Sequence, residues 1–331
     1  MADLTTTYMG LELKNPLIVG SSELTNKANN IKKLEEAGAA AVVLKSLFEE
    51  QIMMEVDAQR VNNMYGSFND VENYVSFYTR KHDLDEYLNL IREAREKVDI
   101  PVIASINCIS ASEWVDFARQ IEKAGAHALE LNMFIMPNDP RFDGDAIEKI
   151  YFDVVKQIEG AITIPVALKL GTYFSGMAKT LIDLSQTSIS AMVLFNRFYS
   201  PDVDLEKEEI KASHLFSHPH DVSNTLRWIG ILSGQVDCDL AASTGVHDGY
   251  AALKNLLVGA TVTYVVSALY KNGRDHLPSM LDEMEGWMEK KGYQSLLDFR
   301  GKLSQANISQ PMMYERAQFM KYHSNYKDAD Y

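Results

Sequence analysis

The sequence predicts an α/β protein of the TIM (β/α)₈ barrel type, and three observations support this. Short apolar runs alternate with helical patterns along the chain, which indicates a parallel sheet covered by helices. Gly38, Gly125 and Gly259 each stand between a helical pattern and an apolar run, at the left-handed position that ends many helices. The apolar runs number eight, which is enough to close a barrel.

The strands are the apolar runs themselves, which are too short for helices and are bounded by polar or turn residues. A β-hairpin over Thr5–Leu13, turning at Met9-Gly10, precedes them and is expected to plug the barrel from beneath. The predicted strands are Pro16–Val19, Ala40–Lys45, Pro101–Ile106, Ala128–Leu131, Pro165–Leu168, Ala191–Phe195, Leu240–Ala242 and Val262–Val266.

The helices are the segments between these runs, where apolar residues recur at helical spacing. Ser110, with Glu113 three residues later, forms a capping-box signature, and Asp248 is an N-cap residue for the helix after strand seven. The predicted helices are Ala28–Ala37, Leu84–Val98, a third beginning at Ser110, Asp145–Ile158, Met177–Thr187, Val222–Ile231, Gly249–Val258 and Leu277–Lys291.

Two connections, Ser46–Lys81 after strand two and Arg197–Asp221 after strand six, are too long to be simple loops. No linker rich in glycine, serine and proline divides the chain, so residues 1–303 are expected to form a single domain. The tail over residues 304–331 carries methionine and aromatic side chains, and Pro311 interrupts any continuous helix. We expect this tail to pack on the barrel or on a partner subunit.

Composition excludes several classes of function. The net charge of −14 disfavours nucleic acid, whose binding depends on cationic side chains, although a local cationic pocket can still hold one phosphate. The N-terminus lacks a signal peptide and no run has the roughly 18 apolar residues of a membrane span, so we expect a cytoplasmic protein. Cys108 and Cys238 lie far apart and form no metal-binding cluster, so no metal is expected.

Polar residues end five of the apolar runs, and these are the candidate site. Lys45, Asn107, Asn132, Lys169 and Asn196 stand at the carboxyl ends of predicted strands, which converge on one face of a barrel. Two lysines favour an anion, and asparagine amides suit a planar heterocycle with N–H and C=O groups, such as a flavin or a pyrimidine. The alternatives are structural ion pairs of the lysines with Glu130, and turn formation by single asparagines.

Short motifs along the whole chain then point to one family. The chain resembles the class 1 dihydroorotate dehydrogenase family, which consists of FMN-containing barrels of pyrimidine synthesis. The motifs are Lys14-Asn15-Pro16, Leu44-Lys45-Ser46, Asn62-Asn63-Met64, Glu130-Leu131-Asn132 with Pro137-Asn138, Leu168-Lys169-Leu170, Phe195-Asn196, Ser243-Thr244-Gly245-Val246, Gly259-Ala260, Gly292-Tyr293-Gln294-Ser295, Asp298-Phe299 and Gly301-Lys302.

The resemblance implies a role for each matching residue. Lys169 would lie against the pyrimidine edge of the flavin, where a cation stabilises the reduced, anionic form, and Lys45 would contact the flavin and a substrate carboxylate. The phosphate would bind after strands seven and eight. The implied FMN contacts are Ser21, Ser22, Lys45, Asn107, Asn132, Lys169, Asn196, Thr244, Gly245 and Ser267, and the implied substrate contacts are Asn62, Asn132, Asn138 and Asn196.

The sequence departs from the family at the residue that accepts a proton from the substrate. The family carries a cysteine or a serine in the loop after strand four, whereas this chain has Ile135 and Met136, neither of which can act as a base. The base is therefore unknown, with Met136 near its usual position. Histidines in the loop after strand six are alternative bases, as is an aromatic residue after strand five. These candidates are His214, His218, His220 and Tyr173.

Val266 and Thr244 also stand where the family has glycines at the phosphate. We expect an FMN-dependent oxidoreductase that acts on a CH–CH bond of a small planar substrate such as a dihydropyrimidine, with dihydroorotate to orotate as the family activity. The resemblance also implies a homodimer. Two alternatives stay open: a barrel that binds a flavin or nucleotide without this oxidation, and an aldolase that forms a Schiff base with a strand-end lysine.

Overall fold

Eight parallel strands form a closed barrel. The computed structural model describes residues 2–48, 69–107, 111–133, 135–197 and 200–315, with the backbone alone at residues 48, 69–82 and 111–113. Each strand pairs with the next in chain order, and the eighth pairs with the first, so the predicted barrel is confirmed. The strands are β1 Leu17–Val19, β2 Ala41–Val43, β3 Val102–Asn107, β4 Ala128–Met133, β5 Val166–Leu170, β6 Ala191–Leu194, β7 Asp239–Ala242 and β8 Val262–Val265.

Helices surround the barrel, and in the described part of the chain the side chains of two aspartates cap a helix start through a hydrogen bond. The side chain of Asp143 accepts a hydrogen bond from the backbone N–H of Ala146 at 2.9 Å, and Asp248, as predicted, accepts one from Ala251 at 2.7 Å. The helices are α1 Ala28–Glu36, α2 Asn69–Lys97, α3 Ala111–Ala124, α4 Gly144–Ile158, α5 Met177–Ser185, α6 Val222–Leu232, α7 Gly249–Val258 and α8 His276–Lys291, with a short helix at Ser267–Asn272.

The largest difference from the predicted elements is the start of α2. The helix begins at Asn69 and not at Leu84, so much of the predicted connection Ser46–Lys81 is helical. No glycine or proline occurs between Asn69 and Lys97, and nothing therefore breaks the helix. The capping box proposed at Ser110 lies outside the described residues.

Two strands extend two residues further than predicted, and this extension places site residues within the sheet. β4 continues to Met133 and β5 to Leu170. The backbone ladder between β4 and β5 continues through these added residues, so Asn132 pairs directly with Lys169. The side chains of both residues face the barrel interior. The two side chains are therefore held on rigid strands and not on loops.

The N-terminal hairpin closes the bottom of the barrel, as predicted. Its strands Thr6–Tyr8 and Leu11–Leu13 are joined through Met9 and Gly10, at φ of 54° and 74°, the left-handed turn geometry of tight hairpins. Tyr8 is fully buried, and the N–H of Met9 donates to a carboxylate oxygen of Asp239 at 2.8 Å. Small interior residues leave room for the Tyr8 ring, namely Ala41, Ala128, Ala167, Ala191 and Ala241.

The long connection after β6 contains an exposed antiparallel hairpin, Pro201–Asp204 with Glu209–Ala212.

The described part of the tail packs on the barrel. The ring of Tyr314 lies against Gly230 of α6, and its hydroxyl donates to the carbonyl of Leu303. None of the described helices combines the length and the apolar character that crossing a membrane requires.

Candidate active site

The interior of the barrel changes from apolar to polar toward the carboxyl ends of the strands. Side chains alternate between the two faces of a strand. Ala128 and Ala167 belong to the apolar interior, Glu130 and Lys169 follow them two residues later, and Asn132 continues the inward row on β4. This arrangement produces a polar layer directly beneath the face of the barrel where α/β barrels hold their active sites.

A cavity of about 480 Å³ opens on this face. It has the size of a small-molecule site, and six of the residues singled out from the sequence line it: Ser21, Lys169, Asn196, Thr244, Gly245 and Ser267. Residues that sequence reasoning did not single out also line it, including Glu23, Arg197, Ser217, Tyr264 and Tyr270.

Lys169 is one of two cationic residues that line the cavity, the other being Arg197. The side chain of Lys169 is partly exposed, and within the described ranges no hydrogen bond or salt bridge to its ammonium group occurs. The charge of Lys169 acts on the buried acid Glu130. Burial raises the pKa of Glu130, and the charge of Lys169 offsets only part of this rise. An ammonium group without a direct partner at the wall of a cavity attracts an anionic ligand.

Two asparagine amides meet beside this lysine. The Nδ2 of Asn196 donates a hydrogen bond to the Oδ1 of Asn132 at 2.7 Å, and Asn132 is 5% exposed. This bond leaves the Nδ2 of Asn132 and the Oδ1 of Asn196 as a donor and an acceptor. Asn196 lines the cavity whereas Asn132 does not, so Asn196 is the amide that can meet a ligand directly and Asn132 holds it in place.

The backbone at the opposite end of the cavity approaches α6 closely. Gly245 has φ of 81°, and a Cβ atom there would lie 2.2 Å from the backbone nitrogen of Val222, so only glycine fits. Thr244 has φ of 77°, and its hydroxyl donates to the carbonyl of Phe195 at 3.2 Å. The hydroxyl of Ser267 accepts from the N–H of Ser217 at 3.0 Å, which holds the loop after β6 against the start of the short helix.

Lys45 does not line this cavity. Its ammonium group forms a salt bridge of 2.5 Å with Glu23, and this lysine lines a neighbouring groove between α1 and α2. Ser22 does not line the cavity either, and its hydroxyl donates to the carbonyl of Gly20 at 3.2 Å. Asn107 is 8% exposed at the end of β3 and lines neither the cavity nor the groove.

The loop after β4 is directed toward solvent. Met136 and Asn138 are exposed, the N–H of Asn138 donates to the carbonyl of Met136 at 2.9 Å, and neither residue lines the cavity. Asn62, predicted as a substrate contact, and Cys108 lie outside the described residues. Cys238 is a half-buried free thiol, and no group of three potential metal ligands occurs in the described part of the chain.

The histidines proposed as alternative bases line a second cavity that adjoins the first. His214 and His218 pack edge to face with ring centroids 4.8 Å apart, and His218 stacks on His220 at 5.5 Å. Tyr173 lines the same space. The two cavities share the residues Asn196, Arg197 and Thr244.

Sequence reasoning missed a buried hydrogen-bond network beneath the cavity. Ser46 and Ser105 connect Ser21 with Glu130, and the hydroxyl of Tyr87 bonds both the N–H and the C=O of Ser105, at 2.7 and 2.9 Å. Counting back in steps of two from Asn107 and Asn132 places Ser105 and Glu130 inside the barrel. That count is the signal that could have found Ser105, whereas Glu130 was already considered from the sequence as an ion-pair partner of the lysines.

Fold and site together define an α/β barrel protein with a cavity at the C-terminal face that is lined by Lys169, Arg197 and Asn196. A sequence profile of the family described as Dihydroorotate dehydrogenase matches residues 3–288. The chain therefore belongs to the dihydroorotate dehydrogenase family.

Curated relatives agree with this assignment over nearly their whole length. The catalytic subunit of dihydroorotate dehydrogenase B (NAD(+)) from Thermoplasma volcanium is 24% identical over 316 residues, which cover 91% of this chain and 98% of the relative. Dihydroorotate dehydrogenase A (fumarate) from Lactococcus lactis subsp. lactis is 26% identical over 319 residues, which cover 91% of this chain and 99% of the relative.

Proposed function

We propose that this chain binds FMN in the cavity at the C-terminal face and acts as an oxidoreductase on a CH–CH bond of a pyrimidine-like substrate, with dihydroorotate as the first candidate. The observation that carries the proposal is the ammonium group of Lys169, which lines the cavity without a direct partner in the part of the chain that the structure describes. Membership of the dihydroorotate dehydrogenase family supports the same reaction.

The residues present fit a flavin mononucleotide. Lys169 supplies a cation for the electron-rich pyrimidine edge, and Asn196, held by Asn132, supplies an amide beside it. At the other end, Gly245 and Ser267 line the cavity after β7 and β8, where barrels of this type bind phosphate. Bound FMN would supply the acceptor for a hydride.

The protein's own residues orient the ligands and stabilise charge on them. Lys169 stabilises negative charge that develops on a ligand atom beside it, because an ammonium group already positioned on a strand needs little reorganisation. Asn196 holds a planar ring by its edge. Lys45 reaches an anionic substrate only if its salt bridge with Glu23 opens. Because Glu23 itself lines the cavity, its negative charge disfavours an anionic group of a ligand beside it.

Assembly and location belong to the same proposal. We infer a homodimer in the cytoplasm and a small planar substrate such as a dihydropyrimidine. The net charge of −14 supports the inference that nucleic acid is not a partner.

The reaction is tested by anaerobic absorption spectroscopy. The chain is mixed with FMN, freed of excess flavin and then mixed with dihydroorotate in the absence of oxygen. Loss of the flavin absorption bands is the expected result. A bound flavin that keeps its absorption would leave a flavin-binding barrel without dihydroorotate oxidation and would overturn the proposed substrate.

A further inference from the structure

A chain of three serine hydroxyls leads from the cavity to a buried carboxylate. Ser21 lines the cavity, and its Oγ lies 3.0 Å from the Oγ of Ser46. Ser46 in turn lies 2.7 Å from the Oγ of Ser105, which donates to the Oε1 of Glu130 at 3.3 Å. Ser46, Ser105 and Glu130 are 4%, 0% and 0% exposed, so bulk water does not compete for these bonds.

When Glu130 is ionised, its carboxylate fixes the direction of this hydrogen-bond chain. A carboxylate only accepts hydrogen bonds, and each hydroxyl carries one proton to donate. In that state Ser105 donates to Glu130, Ser46 donates to Ser105, and Ser21 donates to Ser46. The N–H of Ser46 also donates to the Oγ of Ser21 at 2.9 Å, which holds Ser21 in place at the mouth of the chain.

Glu130 is under-satisfied for a buried acid. Its second oxygen, Oε2, forms no hydrogen bond with the part of the chain that the structure describes, and such an atom in a native interior calls for an explanation. Burial raises the pKa of Glu130, while the charge of Lys169 and the hydroxyls of Tyr264 and Ser105 oppose this rise.

The other titratable groups that face Glu130 do not compete with it for a proton near neutrality. Tyr8 of the hairpin, Tyr87 of α2 and Tyr264 of β8 each have a pKa raised mainly by burial, so all three stay neutral. Lys169 of β5 is the single cation among the described groups that act on Glu130. Glu130 is therefore the group in this network that can take up a proton.

We propose that Glu130 is the proton acceptor of the cavity and that it is reached through the relay Ser21, Ser46 and Ser105. The inference rests on the proposed function, because that reaction releases a proton and the loop after β4 offers only Ile135 and Met136 where a base is needed.

The relay balances without any further reactant. When a proton arrives at the Oγ of Ser21, Ser21 passes its own hydroxyl proton to Ser46. Ser46 then passes its hydroxyl proton to Ser105, and Ser105 passes its hydroxyl proton to the Oε1 of Glu130. Every serine ends neutral, and the carboxylate becomes a carboxylic acid. No atom is oxidised or reduced in this step, and the proton returns by the reverse transfers.

The first test asks whether Glu130 takes up the proton, and it needs no flavin. Infrared spectra of the full chain are recorded over a pH series that starts in the acid range, and the C=O band of a protonated, buried carboxyl group is followed. The band is expected in the wild type and in Thr263→Val, a control that removes a fully buried hydroxyl of β8 without a hydrogen bond to any described residue. It is expected to be absent from Glu130→Gln, and its persistence there would overturn the proposal.

The second test asks whether the proton travels through the serines. After a pH jump, the band is expected to appear about a hundredfold more slowly in Ser46→Ala, in the range of a lost proton-transfer group. Ser46→Thr retains a hydroxyl and should restore the wild-type rate, which separates the relay from a general packing effect. A wild-type rate in Ser46→Ala would overturn the relay.

The third test connects the relay with the reaction. In the FMN-loaded chain, Ser46→Ala is expected to slow flavin reduction by dihydroorotate about a hundredfold while the FMN dissociation constant is unchanged. An unchanged reduction rate would overturn the role of the relay in turnover. Failure of the proposed function shows separately, as absent FMN binding by the wild type, whereas the two infrared tests use no FMN.

Discussion

Replacing Lys169 with methionine should weaken flavin binding without unfolding the protein. Methionine keeps the length of the side chain and removes the ammonium group, which has no hydrogen bond or salt bridge to any described residue. A hydrogen bond to a charged group contributes about 1.5–3 kcal/mol. A loss of about 2 kcal/mol corresponds to roughly a 30-fold higher FMN dissociation constant, or to a two-electron midpoint potential lowered by roughly 40 mV where the charge acts on the reduced flavin.

Two measurements on the same sample check this prediction. Fluorescence titration gives the FMN dissociation constant, and spectroelectrochemistry gives the midpoint potential. The matched control is Lys254→Met, which removes the same charge from an exposed position on α7. The thermal midpoint of both variants without FMN should stay close to that of the wild type. If Lys169→Met retains both the wild-type dissociation constant and the wild-type potential, the ammonium group does not act on the flavin.

Three further predictions concern the support of the site. Tyr87→Phe removes the hydroxyl that bonds the N–H and C=O of Ser105, so chemical denaturation should show a loss of about 2–4 kcal/mol; an unchanged unfolding free energy would show that these bonds are not formed. Gly245→Ala should abolish FMN binding and lower the unfolding free energy by more than the control Gly292→Ala does. Gly292 has a similar φ of 75° but open space at its Cβ, so the control loses only the about 1–2 kcal/mol that the left-handed conformation costs. Glu130 has a raised pKa when folded, so it keeps a proton that the unfolded chain releases, and wild-type stability should fall as the pH rises from the ordinary carboxyl range through the folded-state pKa. Denaturation at several pH values should show the stability of Glu130→Gln relative to the wild type increasing over that window, and a constant difference would contradict the shift.

Most of the barrel could be predicted because its strands are short apolar runs with clear boundaries. The helix Gly249–Val258 matches its prediction at both ends, since Asp248 caps its start and Gly259 follows its end. The start of α2 was missed although the sequence carries signals for it. Asn69 with Glu72 three residues later has the residue types and spacing of a helix start, and Val71, Tyr74, Val75 and Tyr78 recur at helical spacing.

The positions of site residues could be predicted where strands hold them. They could not be predicted where salt bridges or loop conformation determine the position of the side chain. Lys169, Asn132 and Asn196 come together because parallel strands end on the same face of the barrel. Lys45 stands at an equivalent strand end, but its salt bridge with Glu23 holds it in the neighbouring groove, and no local pattern signals that pairing. Asn138 depends on the conformation of the loop after β4, which strand register does not determine.

The central claim is that the cavity containing Lys169 binds FMN, and a direct titration tests it. Purified chain is added to FMN while flavin fluorescence and the visible absorption bands are recorded. Saturable quenching with shifted absorption bands, at one FMN per chain, is the predicted result. Fluorescence and absorption identical to those of free FMN, with a colourless protein after removal of excess flavin, would contradict the claim.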